Sequence, residues 1–403
     1  MCTMKQEASS RRAAVGLPRT VWLLGFVSLF MDMSSEMAHA ILPLYLVGPL
    51  GASVAMVGLI DGAAEAAAQG FKLFSGILSD WVNSRKWLAV LGYGLSALTK
   101  PLFPLSVTPA GVLAARLADR VGKGIRGSPR DAMVADVTPP EQRGAAYGLR
   151  QSLDTAGAVI GPLIAVALLW WSVTDLRGIL WVACLPALAA VAVLAFGVRE
   201  PERSQPAVRW RNVLVSANPG RAFWMVLAFG VALSFARMTE AFLVLKAQQE
   251  NLPVALIPLV MVLMSLLFLV ASYPAGMLAD RIGTRGLLLA GCATLLLADV
   301  MLAQSRGIAF MLAGIAIWGL HMGLTQGLLG KLVADAAPAH LRASCFGMFY
   351  LACGLASLVS GLAAGWLWDW SGPGAAFYMG AAFALAALLV CAVTSSARKQ
   401  SPS

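Results

Sequence analysis

In this chain of 403 residues 59% are hydrophobic and only 12% charged, against roughly 25% charged in a soluble globular domain. That is more apolar surface than a water-soluble fold of this size can hide, which leaves a polytopic, all-α membrane protein. The net charge of +10 does not indicate nucleic acid, because the basic residues form no stripe with interleaved aromatics and instead sit between apolar runs.

Taken in chain order, apolar runs of about 20 residues predict about twelve membrane-spanning helices. The first covers 20–48 and is interrupted by "MDMSSEMAHA", which brings Asp32, Glu36 and His39. The second, 53–79, carries Asp61, Glu65 and Lys72; the third, 87–106, carries Lys100. The fourth, 109–134, holds Arg116, Asp119, Arg120 and Lys123; the fifth, 143–171, holds Arg150 and Asp154; the sixth covers 178–198. A polar gap, "REPERSQPAVRWRNVLVSANPGR", bisects the chain, and "VRWRNVLV" within it reads as a surface amphipathic segment. The second half predicts spans at 221–248, with Arg237, Glu240 and Lys246, and at 254–279 and 286–304, the latter with Asp299. Spans at 307–333, with His321 and Lys331, 342–369 and 374–395 complete the set.

The gaps alternate in charge. Arg85, Lys86, Arg130, Arg143, Arg199, Arg221, Arg281, Arg285, Lys331 and Arg342 fall in one set, and Arg177 and Arg306 alone in the other. By the positive-inside rule both termini and the central gap are expected in the cytoplasm. Arg11, Arg12 and Arg19 before an apolar run, with "AHA" at 38–40, imitate a signal peptide, but the run carries two carboxylates and resumes after "AHA", so an uncleaved span is expected. The six cysteines show no CxxC spacing, so neither disulfides nor zinc is expected.

"GILSDWVNSRK" from Gly76 recurs as "GMLADRIGTRG" from Gly276, and "VAD" and Arg143 recur as "VAD" and Arg342, each about 200 residues on. A six-plus-six duplication follows: 1–198 as one bundle, 199–220 as linker and 221–403 as the other, with a central site between parallel halves.

Those repeated segments resemble the loop signatures of the major facilitator superfamily. The second copy is the closer match; the first has Trp81, Asn83 and Ser84 where a basic residue, a glycine and another basic residue are usual. "RLADRVGKG" from Arg116 resembles the fourth-helix signature, with Asp119 at a usual Gln position and Arg120 in place of glycine. "GLRQSLDTAGAVIGP", with Gly148, Gly157, Gly161 and Pro162, resembles the fifth-helix antiporter signature without its trailing glycine pair. The resemblance spans the whole chain and implies two six-helix bundles around a central cavity, worked by alternating access. It implies a gating role for Gly76, Asp80, Arg85, Gly276, Asp280, Arg281 and Arg285, in which a helix-end carboxylate latches one state shut or merely marks topology. The glycine face of the fifth helix serves close packing, closure against the other half, or both.

"GKGIRG" at 122–127 matches GxGxxG, but an apolar helix rather than a strand precedes it, and no Walker A sequence occurs, so no nucleotide and no cofactor is expected. A membrane enzyme would need a nucleophile and base in reach, and none is legible; a sensor would need a soluble domain, and no gap holds one.

An ionisable residue in a span costs roughly 2.5–3.5 kcal/mol even on lenient scales, so such groups pair or face water. Asp32, Glu36 and His39 share one helix face, and Asp61 and Glu65 repeat the i, i+4 spacing. Two readings stand side by side: proton or substrate coupling at Asp32 or Glu36, which related exporters with a first-helix acid favour, or a static network with Arg116, Arg120 and Arg150 as partners. Asp119, Asp154 and Glu240 are further candidates. Met33, Met37 and His39, and at most equally His321 with Met322, are groupings that soft-metal chemistry would use, and Glu36 with His39 could hold iron, though no metal is expected. The expectation is a monomeric secondary transporter of a bacterial inner membrane, exporting a small organic molecule in exchange for protons, with uptake of a metal ion or metal chelate as the alternative.

Overall fold

The structure, a computed structural model, describes residues 17–81, 84–139, 142–171, 175–200, 219–338 and 342–397. The first bundle comprises α1 (Arg19–Val47), α2 (Val54–Trp81), α3 (Arg85–Thr99, extended by a turn at Leu102–Leu105), α4 (Pro109–Val137), α5 (Arg143–Trp170) and α6 (Leu176–Val182 running on through Cys184–Ala192). The second comprises α7 (Arg221–Ala236 and Ala241–Gln249), α8 (Leu259–Ile282), α9 (Thr284–Gln304), α10 (Ile308–Ala336), α11 (Arg342–Ser371) and α12 (Pro373–Ala397). Helix is the form that satisfies a spanning segment's backbone internally. The amphipathic segment expected in the central gap lies outside the described residues.

Among the described residues ten helical segments are long and apolar enough to cross a membrane. The other two, α2 and α4, have the length but are too polar, because they carry Asp61, Glu65 and Lys72 and the Arg116–Arg130 series. They pack on each other, with α11 covering α2 and α3 covering α4. The surface left over bears exposed apolar groups such as Phe196, Leu98 and Val270, while Trp171, Trp370 and Trp87 mark span ends, as side chains facing lipid and its interface do.

The segment expected as one continuous helix at 221–248 is broken at Arg237–Glu240. Thr239 accepts from the Ala241 amide through its own hydroxyl, and Arg237, Thr239 and Glu240 turn towards polar partners in the interior. Irregular backbone at membrane depth persists where it lines a cavity inside the protein. Between α8 and α9 the chain reverses on Gly283, whose φ of 86° is accessible to glycine without a Cβ clash.

Within the first bundle α1 lies along α5. A Cβ on Gly157 or Gly161 would strike the α1 backbone at Leu29 and Met33. These two glycines of the fifth-helix motif therefore serve packing inside one bundle rather than closure against the other. Gly148 has open space at its Cβ position and packs against nothing.

The bundles meet chiefly through α2 on α11, with α5 on α8 as the second contact. A Cβ on Gly58 would strike the Gly361 carbonyl; one on Gly62 would lie 2.7 Å from the Leu358 Cα; one on Gly365 would lie 2.6 Å from the Ala55 Cα. This seam closes the end of the molecule away from the basic gaps, called here the far end. There Asp369 of α11 accepts from the Val54 and Ala55 amides at 2.9 and 2.8 Å, capping α2 from the other bundle. A capping carboxylate at a helix N-terminus is worth about 0.5–2 kcal/mol. Asp369→Ala is therefore expected to shift the equilibrium towards far-end opening by roughly twofold to thirtyfold, read as a longer spin-label distance between α2 and α11; an unchanged distance distribution would count against a closing role.

Candidate functional site

A cavity of about 620 Å³ lies between the bundles. It runs from an apex near His39, Asp61 and Glu240 to a mouth near Lys72, Asp131 and Tyr350 at the end that carries the basic gaps. Helical spacing builds its charged wall. Asp32, Glu36 and His39 present one face of α1, Asp61 and Glu65 one face of α2, and Arg116, Arg120 and Lys123, at i, i+4 and i+7, one face of α4. The opposite wall, from α7, α10 and α11, is largely apolar and aromatic, with Leu233, Trp318, Met322, Phe349 and Tyr350.

At the apex His39 joins both bundles. Its Nε2 lies 3.4 Å from Asp61, and its Nδ1 lies 3.6 Å from Glu36 and 3.9 Å from Glu240 of α7. Asp61 also pairs with Arg116 at 3.3 Å and accepts from the Thr239 hydroxyl at 2.7 Å. Arg116 is 1% exposed, so this is a desolvated ion pair. The ligand atoms of Glu36, His39 and Glu240 lie within 4.8 Å of one another, a spacing that could hold a metal ion.

Nearer the mouth, Arg150 donates to Asp154 at 3.0 Å and approaches Asp131 at 3.7 Å. Arg130 pairs with Asp131 at 3.1 Å and Asp154 at 3.7 Å, and donates to Ser28. Asp32 sits against the Asp154 carboxyl. Glu65 accepts from Gln69 at 2.6 Å.

The sequence-predicted residues divide accordingly. Asp32, Glu36, His39, Asp61, Glu65, Arg116, Arg120, Asp154 and Glu240 line the cavity; Asp119 and Arg150 do not. Asp119 precedes Arg120 and so points a third of a turn away, towards α3, where it pairs with buried Lys100 at 3.1 Å while Lys100 donates to Ser35. Two of the three partners expected for the α1 acids are engaged elsewhere, Arg116 with Asp61 and Arg150 with Asp154, and the third, Arg120, lines the cavity without a carboxylate in ion-pair contact among the described residues. The Met33 and Met37 backbone packs on Gly161, and the Met37 side chain is in the apolar core.

Among the gating residues, Arg85 pairs with Asp136 of α4, and its amide is capped by Glu200 at 2.8 Å. Arg285 is half-buried in the first turn of α9, and Gly276 has open space at its Cβ position. The side chains at 76, 80, 280 and 281 lie outside the described residues, and with them the latch read into Asp80 and Asp280.

Reasoning from sequence overlooked the break in α7 and what it positions. Arg237 donates to His321 and to Thr325, and His321 Nδ1 meets the Gly291 carbonyl at 2.7 Å. A carbonyl only accepts, so Nδ1 carries the proton and Nε2 accepts from Arg237, which occupies both ring nitrogens. The signal was present as "RMTE" in the middle of an apolar run.

The fold and cavity have counterparts among known proteins. The family model of the Major Facilitator Superfamily matches residues 24–357 and again 227–403. An uncharacterized MFS-type transporter of Methanocaldococcus jannaschii is 28% identical over 92% of this chain and 93% of its own length. Multidrug resistance protein MdtH of Yersinia pestis is 29% identical over 44% of this chain and 42% of its own. A POT family transporter, crystallised in complex with a thioalcohol-conjugated peptide, superimposes with a TM-score of 0.78 at 14% identity, covering 95% of this chain and 97% of that one. Two six-helix bundles meeting around a charged central cavity, matched by the family model over nearly the whole chain, make this a transporter rather than an enzyme: it belongs to the Major Facilitator Superfamily.

Proposed function

We propose that the chain exports a small organic molecule in exchange for protons, and that the His39 cluster is where protonation is felt by both bundles. The observation that carries this reading is the placement of His39 between Glu36 and Asp61 of one bundle and Glu240 of the other. Adding a proton to a carboxylate there removes one side of an inter-bundle attraction, and such a contact must break and reform in alternating access. The fifth-helix motif and the multidrug resistance relative support export. The charge asymmetry of the gaps supports cytoplasmic termini, a cytoplasmic linker at 199–220 between bundles 1–198 and 221–403, and a cavity open to the cytoplasm in this state. A monomer in a bacterial inner membrane is the simplest assembly for a site contained in one chain.

His39→Gln keeps the size and one hydrogen-bonding edge but cannot carry a charge. In proteoliposomes it is expected to lower transport driven by an imposed pH gradient at least tenfold while leaving substrate exchange within about threefold. Wild-type response to the gradient would refute coupling through this cluster. A second reading, a divalent cation as cargo, draws on the Glu36–His39–Glu240 group. The Arg116 and Arg120 cations on the same cavity wall raise the cost of bringing a cation there, so it ranks below the first.

A further inference from the structure

We propose that the cavity takes an amphipathic organic anion, with its acid group on Arg120 and Lys123 and its apolar part on the wall formed by α7, α10 and α11. This rests on the reading of the cavity as the transport site and narrows it to a substrate class.

Many of the carboxylates lining the cavity already have partners. Asp61 has Arg116 and His39, Asp154 has Arg130 and Arg150, and Asp131 has Arg130. Glu36 and Glu240 share His39, Glu65 accepts from the neutral Gln69, and Asp32 lies against the Asp154 carboxyl. Several of the cavity cations also lack a direct ion pair. Among the described residues Lys72, Arg120, Lys123, Arg126 and Arg237 line the cavity with no carboxylate in ion-pair contact, and Arg126 is turned to the Ser96 hydroxyl and the Tyr93 ring. Lys72 instead lies over the Tyr350 ring at 5.0 Å. Arg120 is 6% exposed, and what remains accessible of it faces the cavity. A guanidinium held this deep, with carboxylates nearby but none of the described ones within ion-pair distance, can receive an anion directly, because attraction is strong where water is scarce.

Geometry adds direction. Arg120 and Lys123 follow Arg116 along one face of α4, so a fork of donors and a point charge are presented together. Arg116 is taken by Asp61, which leaves the next two positions for a ligand. Across the cavity the second bundle offers Leu233, Trp318, Met322, Phe349 and Tyr350. Its basic residue there, Arg237, is engaged with His321 and Thr325. One wall therefore recognises negative charge and the other apolar or aromatic surface, the division that a carboxylate or phosphate on a hydrophobic skeleton requires.

The test uses purified full-length protein and three probes on one skeleton: 1-naphthaleneacetate, 1-naphthaleneacetamide and (1-naphthylmethyl)trimethylammonium. Thermal stabilisation and binding are measured for wild type, Arg120→Gln and Lys123→Gln, and uptake of each probe is measured in proteoliposomes. The acid is expected to stabilise wild type, to bind at least tenfold more tightly than the amide, and to lose at least tenfold in affinity in either variant, while the melting temperature without ligand stays put. Lys331→Gln, outside the cavity lining, is expected to leave binding unchanged. Equal or tighter binding of the ammonium probe, no binding of the acid, or binding of the acid that ignores both variants would each overturn the proposal. Selective binding of the acid without uptake would leave the anion site standing and defeat the transport reading. Uptake of the ammonium probe, insensitive to Arg120→Gln, would leave transport standing and defeat the anion site.

Discussion

In a Gly361→Leu protein, transport is expected to fall to background while the protein remains folded in the membrane. A Cβ at Gly361 already meets the Gly58 backbone, so a leucine side chain has no direction in which to yield. The α2 and α11 axes must then separate at the far end, where Gly62 against Leu358 and Gly365 against Ala55 make the same close approach. Small residues allow such backbone contact, and dispersion across it holds the seam shut. A carrier that cannot close one end cannot alternate. Each bundle keeps its own packing, α1 on α5 and α9 on α10 and α12, so folding is spared. A cysteine at Ser357, a cavity-lining position beside the seam, should react faster with an impermeant reagent from the far side in the Gly361→Leu background than in its absence. Gly148→Ala, where the new methyl meets open space, serves as the control. Wild-type transport by Gly361→Leu would show that closure does not pass through this contact.

The same seam shows where the sequence was readable and where it was not. Span number and the two-bundle plan followed from apolar length and the repeat around Gly76 and Gly276, because a bilayer imposes a length and leaves few other solutions. The interior charges also marked their helices correctly: α2 and α4 fail the apolar test because of the residues that line the cavity. Pairing was harder. Asp119 and Arg120 are adjacent in sequence yet face α3 and the cavity respectively, and only the rotation of α4 against its neighbours decides which is which. Glycine contacts stayed open for a related reason. Gly157 and Gly161 belong to a recognisable motif but pack within a bundle, whereas Gly58, Gly62, Gly361 and Gly365 carry the inter-bundle seam at a plain i, i+4 spacing that an apolar run hides. Asp369 was passed over because a lone acid at a span end reads as a boundary marker until the helix it caps is known.

Asp61→Asn is expected to destabilise the protein by about 3–5 kcal/mol, because it leaves the Arg116 guanidinium buried without its counter-ion. Arg116 is 1% exposed, and Asp61 is the carboxylate in ion-pair contact with it among the described residues. Arg116→Gln should cost less, since Asp61 retains His39 at 3.4 Å and the Thr239 hydroxyl at 2.7 Å. The double variant, Asp61→Asn with Arg116→Gln, removes both charges together. It should recover about 1–3 kcal/mol over the sum of the single changes, the range for coupled neighbours. Thermal melting of the four proteins in the same detergent measures that cycle. Its value lies in what the stabilised double variant then permits. If the pair is purely structural, restoring stability restores proton-driven transport. If Asp61 carries protonation between His39 and α7, the double variant stays folded and exchanges substrate but no longer responds to a pH gradient. The contacts favour the second outcome, because Asp61 reaches across to Thr239 at the break in α7 as well as to Arg116 behind it. A stable double variant transporting at the wild-type rate under a pH gradient would confine Asp61 to a structural role and leave coupling to Glu36, His39 and Glu240.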